Sequence, residues 1–245
     1  MSVKIIYSRL LQKFPEIIFG FSTKAGGVSD EPYGMNLSVS VGDDPENVKH
    51  NRKLFFDTLG IREEEVTFQK QIHSTIVNYS ENPGHYSNSD AIYTDKENNF
   101  LSVSVADCIP VFLYDPINKI VAGVHSGWKG TSGKILTKTI LELQKRTGSD
   151  TTELIAYIGP GISQESYEVG DEVADFFDED VKIKRGDKYF IDLKKDNYNQ
   201  LLKLGVNKDN IEISEYCSFK ETELLHSYRR DGSISGRMFG IIGMR

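Results

Sequence analysis

Residues 100–125 constrain the fold more than any other part of the chain. Phe100–Val105 alternates Leu101, Val103 and Val105 with Ser102 and Ser104, the two-residue period of a half-buried strand. Apolar runs follow at 111–114 and 119–125, on either side of a turn at 115–118. Three sequential strands with so little chain between them build a sheet. Further strands are expected at Ile17–Ser22, 66–68, 75–79, 154–158, 189–191, 211–217 and 238–242. Helices are fewer. Asp43-Asp44-Pro45 starts one, with a capping carboxylate and then proline at the first helical position; it runs to about Leu59 and stops at Gly60. A second follows residues 127–131, with Leu136, Ile140 and Leu143 on one face, and ends near Gly148. A short helix is expected at 172–177, and another is capped by Asp192 and stopped by Gly205. Strands outnumber helices, so the expected class is α+β: a sandwich of mixed sheets with helices outside, over one domain spanning 1–245. No G-x-G-x-x-G follows a strand, which argues against a dinucleotide-binding sheet.

Composition narrows the function. With 38% hydrophobic residues in 245, the chain can bury a sizeable core. A net charge of −7 with no basic run lacks the footprint of a nucleic-acid binder. The longest apolar run, around 109–114, is far below the roughly 18–20 residues that span a bilayer. Lys13, Pro15 and Glu16 interrupt what would be the apolar core of a signal peptide. Two cysteines cannot form a disulfide framework. The expectation is a cytoplasmic protein with both thiols free, monomer or homodimer, without nucleic-acid or membrane partners.

Three metal-competent side chains fall where strands end: His73, Cys108 and His125. Their wide spacing is not that of a structural zinc module. It suits a site assembled from several strand ends. Two imidazoles and a thiolate are ligands for Zn²⁺ or copper, and three protein ligands leave a fourth position open. Without a metal, Cys108 would be a nucleophile with His125 or His73 as its base. Asp107, beside Cys108, either orients a ligand, accepts a proton or caps a turn. The first helix places Asn51 and Arg52 on the same stripe as Val48, Phe55, Phe56 and Leu59. An inward guanidinium needs an anion, a ribose hydroxyl or a structural carboxylate. Gly127, Lys129 and Thr131 lie just before a helix, where backbone N–H groups can hold a phosphate and where ordinary capping uses the same residues. Gly159-Pro160-Gly161 is a turn or a close approach to a ligand, and 228–232 reads as a strand end and turn.

Together these phrases resemble a known family. Gln71-Ile72-His73-Ser74, Ala106-Asp107-Cys108-Ile109-Pro110-Val111 and Val124-His125-Ser126-Gly127-Trp128-Lys129-Gly130 are similar to the bacterial YfiH/YlmD family. That family was long called the multicopper polyphenol oxidase or laccase domain and is related to the human FAMIN protein. The stretch from Phe21 to Ser29, the Asn51-Arg52 pair and the stretch from Ser227 to Arg237 fit as well, so the resemblance covers nearly the whole chain. It implies α/β/β/α layers and a metal, usually zinc, on His73, Cys108 and His125. It also implies phosphorolysis of adenosine, inosine, guanosine and methylthioadenosine, with phosphate as co-substrate, and adenosine deamination. In that reading Asp107 joins the metal ligands as a catalytic residue, while Asn51, Arg52, Gly127, Lys129 and Thr131 contact substrate. One departure stands out: Gly159-Pro160-Gly161 replaces the Gly-Pro-Cys of many members, which weakens a case for several copper sites. A copper-dependent phenol oxidase, a cysteine hydrolase and a non-enzymatic binding module remain the alternatives.

Overall fold

The computed structural model describes residues 2–245. Two six-stranded sheets make its centre. The first runs Ile5–Ile6, Ile17–Ser22, Met238–Met244, Phe100–Val105, Val66–Gln69, Gly84–Tyr86. The second runs Ile211–Ile213, Ile155–Ile158, Ile109–Asp115, Ile120–Ser126, Ala91–Thr94, Val77–Tyr79. Both mix parallel and antiparallel neighbours: Phe100–Val105 pairs antiparallel with Met238–Met244 and parallel with Val66–Gln69.

The packing explains the layering. Apolar side chains from facing sides of the two sheets meet in one core, including Phe19, Phe21, Leu101 and Val103 from one and Phe112, Tyr114 and Tyr157 from the other. Phe19 meets Phe112 and Tyr157 edge-on at 5.0 and 5.2 Å. Each large side chain removed from water here contributes roughly 1.5–3 kcal/mol before entropy is counted. The outer face of the second sheet is covered by Ile135–Thr147, through Leu136, Ile140 and Leu143, and by Leu193–Lys203. Pro45–Leu59 covers the outer face of the first through Phe55 and Phe56. The layers are therefore α/β/β/α. Lys182–Arg185, Lys188–Ile191 and Glu168–Val169 add a small separate sheet.

Local signals hold where caps define them. Asp44 accepts from the Glu46 N–H, Pro45 opens the helix, and Gly60 closes it at φ 68°. Asp192 caps Leu193–Lys203 through the Lys195 N–H. Four expectations are corrected. The helix expected after residues 127–131 is Ile135–Thr147, but that preceding stretch is itself a short helix, Trp128–Ser132, set off by Lys134 at φ 62°. The strand at 211–217 ends at Ile213, because the Ser214 and Tyr216 carbonyls accept from Lys194 Nζ instead of continuing a ladder. Residues 228–232 form a helical turn, Tyr228–Asp231, in which Ser227 Oγ accepts from the Arg230 N–H. The helix at 172–177 shortens to Asp171–Ala174.

His226 is a pressure point in this packing. It is buried, and its Nε2 has no hydrogen-bond partner. Burial, then the Lys24 ammonium, with Arg237 and Arg230 adding to it, push its pKa from 6.5 down to about 3, against a smaller pull from Asp231. The folded chain thus keeps this imidazole neutral while the unfolded chain protonates it. Stability is complete above about pH 6.5 and falls as the pH drops towards 3. The urea midpoint of the wild type is expected to fall more steeply over this window than that of His226→Asn. Parallel curves would show that another group carries the acid sensitivity.

Candidate metal centre and its cavity

The antiparallel register of the second sheet assembles the centre. Ile109 faces Ser126 and Pro110 faces His125, so Cys108 enters the sheet beside the end of Ile120–Ser126. On the other side Ala91 faces Val124, which sets Asp90 next to His125. The His125 N–H donates to the Asp90 carbonyl at 2.6 Å. His73 comes from the loop between Val66–Gln69 and Val77–Tyr79.

One ligand atom from each of His73, Cys108 and His125 lies within 4.8 Å of the other two. Cys108 Sγ is 3.9 Å from His73 Nε2, and the two imidazole rings stand edge-on with centroids 4.9 Å apart. His73 is exposed, Cys108 half-buried and His125 buried. Among the described residues this is the one group of three or more His, Cys, Asp or Glu with such convergence. Ligand atoms on a tetrahedral zinc lie about 3.5 Å apart, so the three side chains fit one ion with a contraction of at most about 1.3 Å.

Asp90, which the sequence reading passed over, holds this group together. Its carboxylate is fully buried. Oδ1 accepts from His125 Nδ1 at 2.8 Å and from the His73 N–H at 3.0 Å. Oδ2 accepts from the Ile72 N–H at 3.2 Å, the Ser74 N–H at 2.6 Å and Ser74 Oγ at 2.7 Å. Three successive amides around one carboxylate keep His73 at φ 58°, a left-handed conformation costly for a residue with a side chain. The bond to Nδ1 leaves His125 Nε2 free to bind a metal.

Charges couple across the centre. Burial pushes Asp90 up, but hydrogen bonds from His125 and Ser74 outweigh it and bring its pKa to about 2. Burial disfavours the Cys108 thiolate, yet the His125 charge and hydrogen bonds from His125 and His73 more than compensate, so the thiol ionises below its ordinary range. Conversely, burial lowers His125, and the Cys108 and Asp90 charges raise it above its own. A ligand set that is readily deprotonated at sulfur is what a cation recruits. Gly127 closes the centre from behind. A Cβ there would sit 2.8 Å from Cys108 Sγ and 3.2 Å from His73 Cδ2.

The centre opens into a cavity of about 850 Å³. Phe68 and Phe239 form an aromatic wall, with His85 stacked on Phe68 at 5.0 Å. Arg52, Arg229 and Arg237 bring positive charge. Arg52 donates from Nε to the Leu37 carbonyl at 2.8 Å, pairs with Glu63 at 3.2 Å and lies over the Phe68 ring at 4.8 Å. Asp107 also borders the cavity, at φ 87°, but its carboxylate is committed. Oδ1 accepts from Ser218 Oγ and Oδ2 from the Arg229 N–H, both at 2.6 Å. Asn51, Lys129 and Thr131 do not border it. Asn51 binds the Val28 N–H, Ser29 Oγ and the Gly34 and Asn36 carbonyls, fixing the 28–36 loop. Thr131 hydrogen-bonds Ser126 within the protein, and the Lys129 ammonium lies 5.5 Å from the Trp128 ring centroid.

Residues 18–245 match the family described as multi-copper polyphenol oxidoreductase laccase. The chain belongs to that family. It is 33% identical to the Bacillus subtilis protein named purine nucleoside phosphorylase YlmD, over 96% of this chain and 91% of that one. It is 34% identical to a Deinococcus radiodurans purine nucleoside phosphorylase, over 91% and 88%. The crystal structure of Geobacillus stearothermophilus YlmD superposes with a TM-score of 0.93 at 28% identity, covering 100% of this chain and 97% of that one. Bacillus licheniformis YfiH gives 0.92 at 30% identity, again over 100% and 97%. The expected α+β class with mixed sheets is thus shared with solved relatives. Among the described residues no helix is long and apolar enough to cross a membrane.

Replacing Asp90 with asparagine removes the charge that orients His125 and turns one of its two acceptor oxygens into a donor, which weakens the hold on three amides. In Asp90→Asn, zinc affinity measured by competition with a chromogenic chelator is expected to fall roughly 10–100-fold, as for other carboxylates behind metal-bound histidines. An affinity equal to the wild type's would mean that Asp90 does not orient the ligands.

Proposed function

We propose that this protein is a zinc-dependent purine nucleoside phosphorylase, acting on adenosine, inosine, guanosine and methylthioadenosine, with adenosine deamination as a second reaction at the same site. The observation that carries the proposal is the His73–Cys108–His125 group, backed by Asp90 and opening into a large cavity with aromatic and cationic walls. The relatives named purine nucleoside phosphorylase support the substrate class. The three residues would hold the metal, which when bound supplies Lewis acidity towards a substrate atom or water.

This chain's own residues do the rest. Phe68 and Phe239, with His85 stacked on Phe68, give the cavity an aromatic wall beside which a flat base would lie. Asp90 keeps the proton of His125 on Nδ1, so that Nε2 faces the centre. In phosphorolysis a phosphate oxygen forms a bond to C1′ of the ribose while the bond from C1′ to the purine nitrogen breaks. The electron pair leaves with the purine, and the proton lost by hydrogen phosphate ends on that base. Positive side chains on the cavity wall favour the phosphate anion.

Multicopper oxidase chemistry fits this chain poorly. Five histidines are too few for such a cluster, and the one convergent group among the described residues has two. A metal-free cysteine hydrolase is the second reading, favoured by the relay from Cys108 to His125 to Asp90 and the ease of ionising that thiol.

Incubation of the purified protein with adenosine and phosphate decides the matter. Adenine with ribose 1-phosphate is expected from phosphorolysis and inosine from deamination. Loss of both on metal chelation and recovery on adding zinc complete the expected result. Zinc-loaded protein that yields none of these products refutes the assignment. Turnover that survives chelation and is stopped by iodoacetamide on Cys108 transfers it to the hydrolase reading.

A further inference from the structure

We infer that Arg237 is the phosphate-binding residue of the cavity; the inference rests on the phosphorolysis proposed above and assigns its anion a place. Three arginines line the cavity, and their donors are spent very differently. Arg52 is neutralised by Glu63 and holds the Leu37 carbonyl. Arg229 is exposed; its Nη1 donates to the Glu168 carbonyl at 2.7 Å, and its guanidinium lies 5.1 Å from the Tyr167 ring centroid. Arg237 is half-buried and has no carboxylate within ion-pairing distance among the described residues. Its Nη1 alone is occupied, by the Ser235 and Gly236 carbonyls at 2.7 and 3.0 Å. Nε and Nη2, the remaining edges of the fork, have no hydrogen-bond partner among the described residues, and the guanidinium carbon lies 5.6 Å from the Tyr228 ring centroid. A partly desolvated guanidinium with free donors is stable only opposite an anion or water, and its planar fork matches two phosphate oxygens.

The carboxylate on the cavity wall does not serve. Asp107 spends both oxygens on Ser218 and the Arg229 amide. Arg237 lines the same cavity as His73, Cys108 and His125, and burial lowers its pKa against the opposing effect of Cys108, Asp107 and Tyr228. Lys70, also on the wall, is exposed and makes no side-chain bond that would fix it.

The backbone around Arg237 is built to hold it still. Its N–H donates to Asn36 Oδ1 at 2.9 Å, and its carbonyl accepts from the Leu37 N–H at 3.1 Å. Gly236 lies so close to His226 that an added Cβ would be 2.6 Å from Cε1 and Nε2. The buried neutral imidazole thus backs the residue next to Arg237 without offering it a counter-charge. The anion assigned to this fork is free phosphate; a phosphate ester carried on a nucleoside has the same chemistry, and the test separates the two sources.

The test compares wild type, Arg237→Gln and Arg237→Lys, each first shown to keep the wild-type melting profile. With inosine as substrate, Arg237→Gln is expected to raise the KM for inorganic phosphate roughly 10- to 100-fold, with the KM for inosine changed less than about threefold. Arg237→Lys is expected to restore part of the loss. Titration calorimetry with inorganic phosphate alone should show the same order of affinities, and this arm stands even if the wild type lacks phosphorolysis. Weaker binding of a nucleoside 5′-monophosphate in Arg237→Gln, with phosphate binding intact, would assign the fork to an ester instead and overturn the role as stated. So would unchanged phosphate affinity in Arg237→Gln, or equal rises in both KM values. A wild type that binds phosphate through Arg237 yet cleaves no nucleoside would refute the proposed reaction and leave the anion site standing.

Discussion

The buried carboxylate of Asp90 is the constraint on which the rest of the centre depends. It has no cationic lysine or arginine beside it; its charge is answered by three amides, a hydroxyl and an imidazole. That arrangement couples two pieces of chain far apart in sequence. The loop carrying His73 is pinned by its amides, and the strand end carrying His125 by its ring. Breaking a hydrogen-bonded buried charge costs more than forming it gains, so the network has one satisfied geometry. In that geometry the two imidazoles and the Cys108 sulfur converge.

The sheet supplies the remaining precision. In an antiparallel ladder a shift by one residue turns every side chain to the opposite face. Between Ile109–Asp115 and Ile120–Ser126 the register is fixed by apolar packing on both faces, with Phe112, Tyr114 and Val121 towards the other sheet and Val111, Leu113 and Ala122 towards the helices. Core packing thus decides where Cys108 and His125 stand.

Much of this was legible in the sequence because it is written in local patterns. The strand at Phe100–Val105, the cap at Asp44 and Pro45, and the placing of Cys108 and His125 at strand ends all survive, although that strand is buried on both faces and not half-buried as its alternation suggests. What was not legible depends on distant partners. Asp90 stands in Asn88-Ser89-Asp90-Ala91, which reads as a turn; the four-residue strand that follows is too short to show a period. Asp107 was the more conspicuous carboxylate because it adjoins Cys108, yet its oxygens face Ser218 and Arg229, more than a hundred residues on. Asn51 and Arg52 share a helix stripe, but one fastens a loop while the other borders the cavity. The arginines differ in whether a carboxylate happens to lie opposite, which only tertiary structure shows.

The central claim is that His73, Cys108 and His125 share one metal ion. X-ray absorption at the zinc edge of the purified protein reads that ligand set directly. The account requires about one zinc per chain, with one sulfur near 2.3 Å and two imidazole nitrogens near 2.0–2.1 Å in its first shell, and loss of the sulfur signal in Cys108→Ser. A first shell of oxygen alone, or a sulfur signal that persists in Cys108→Ser, would contradict it.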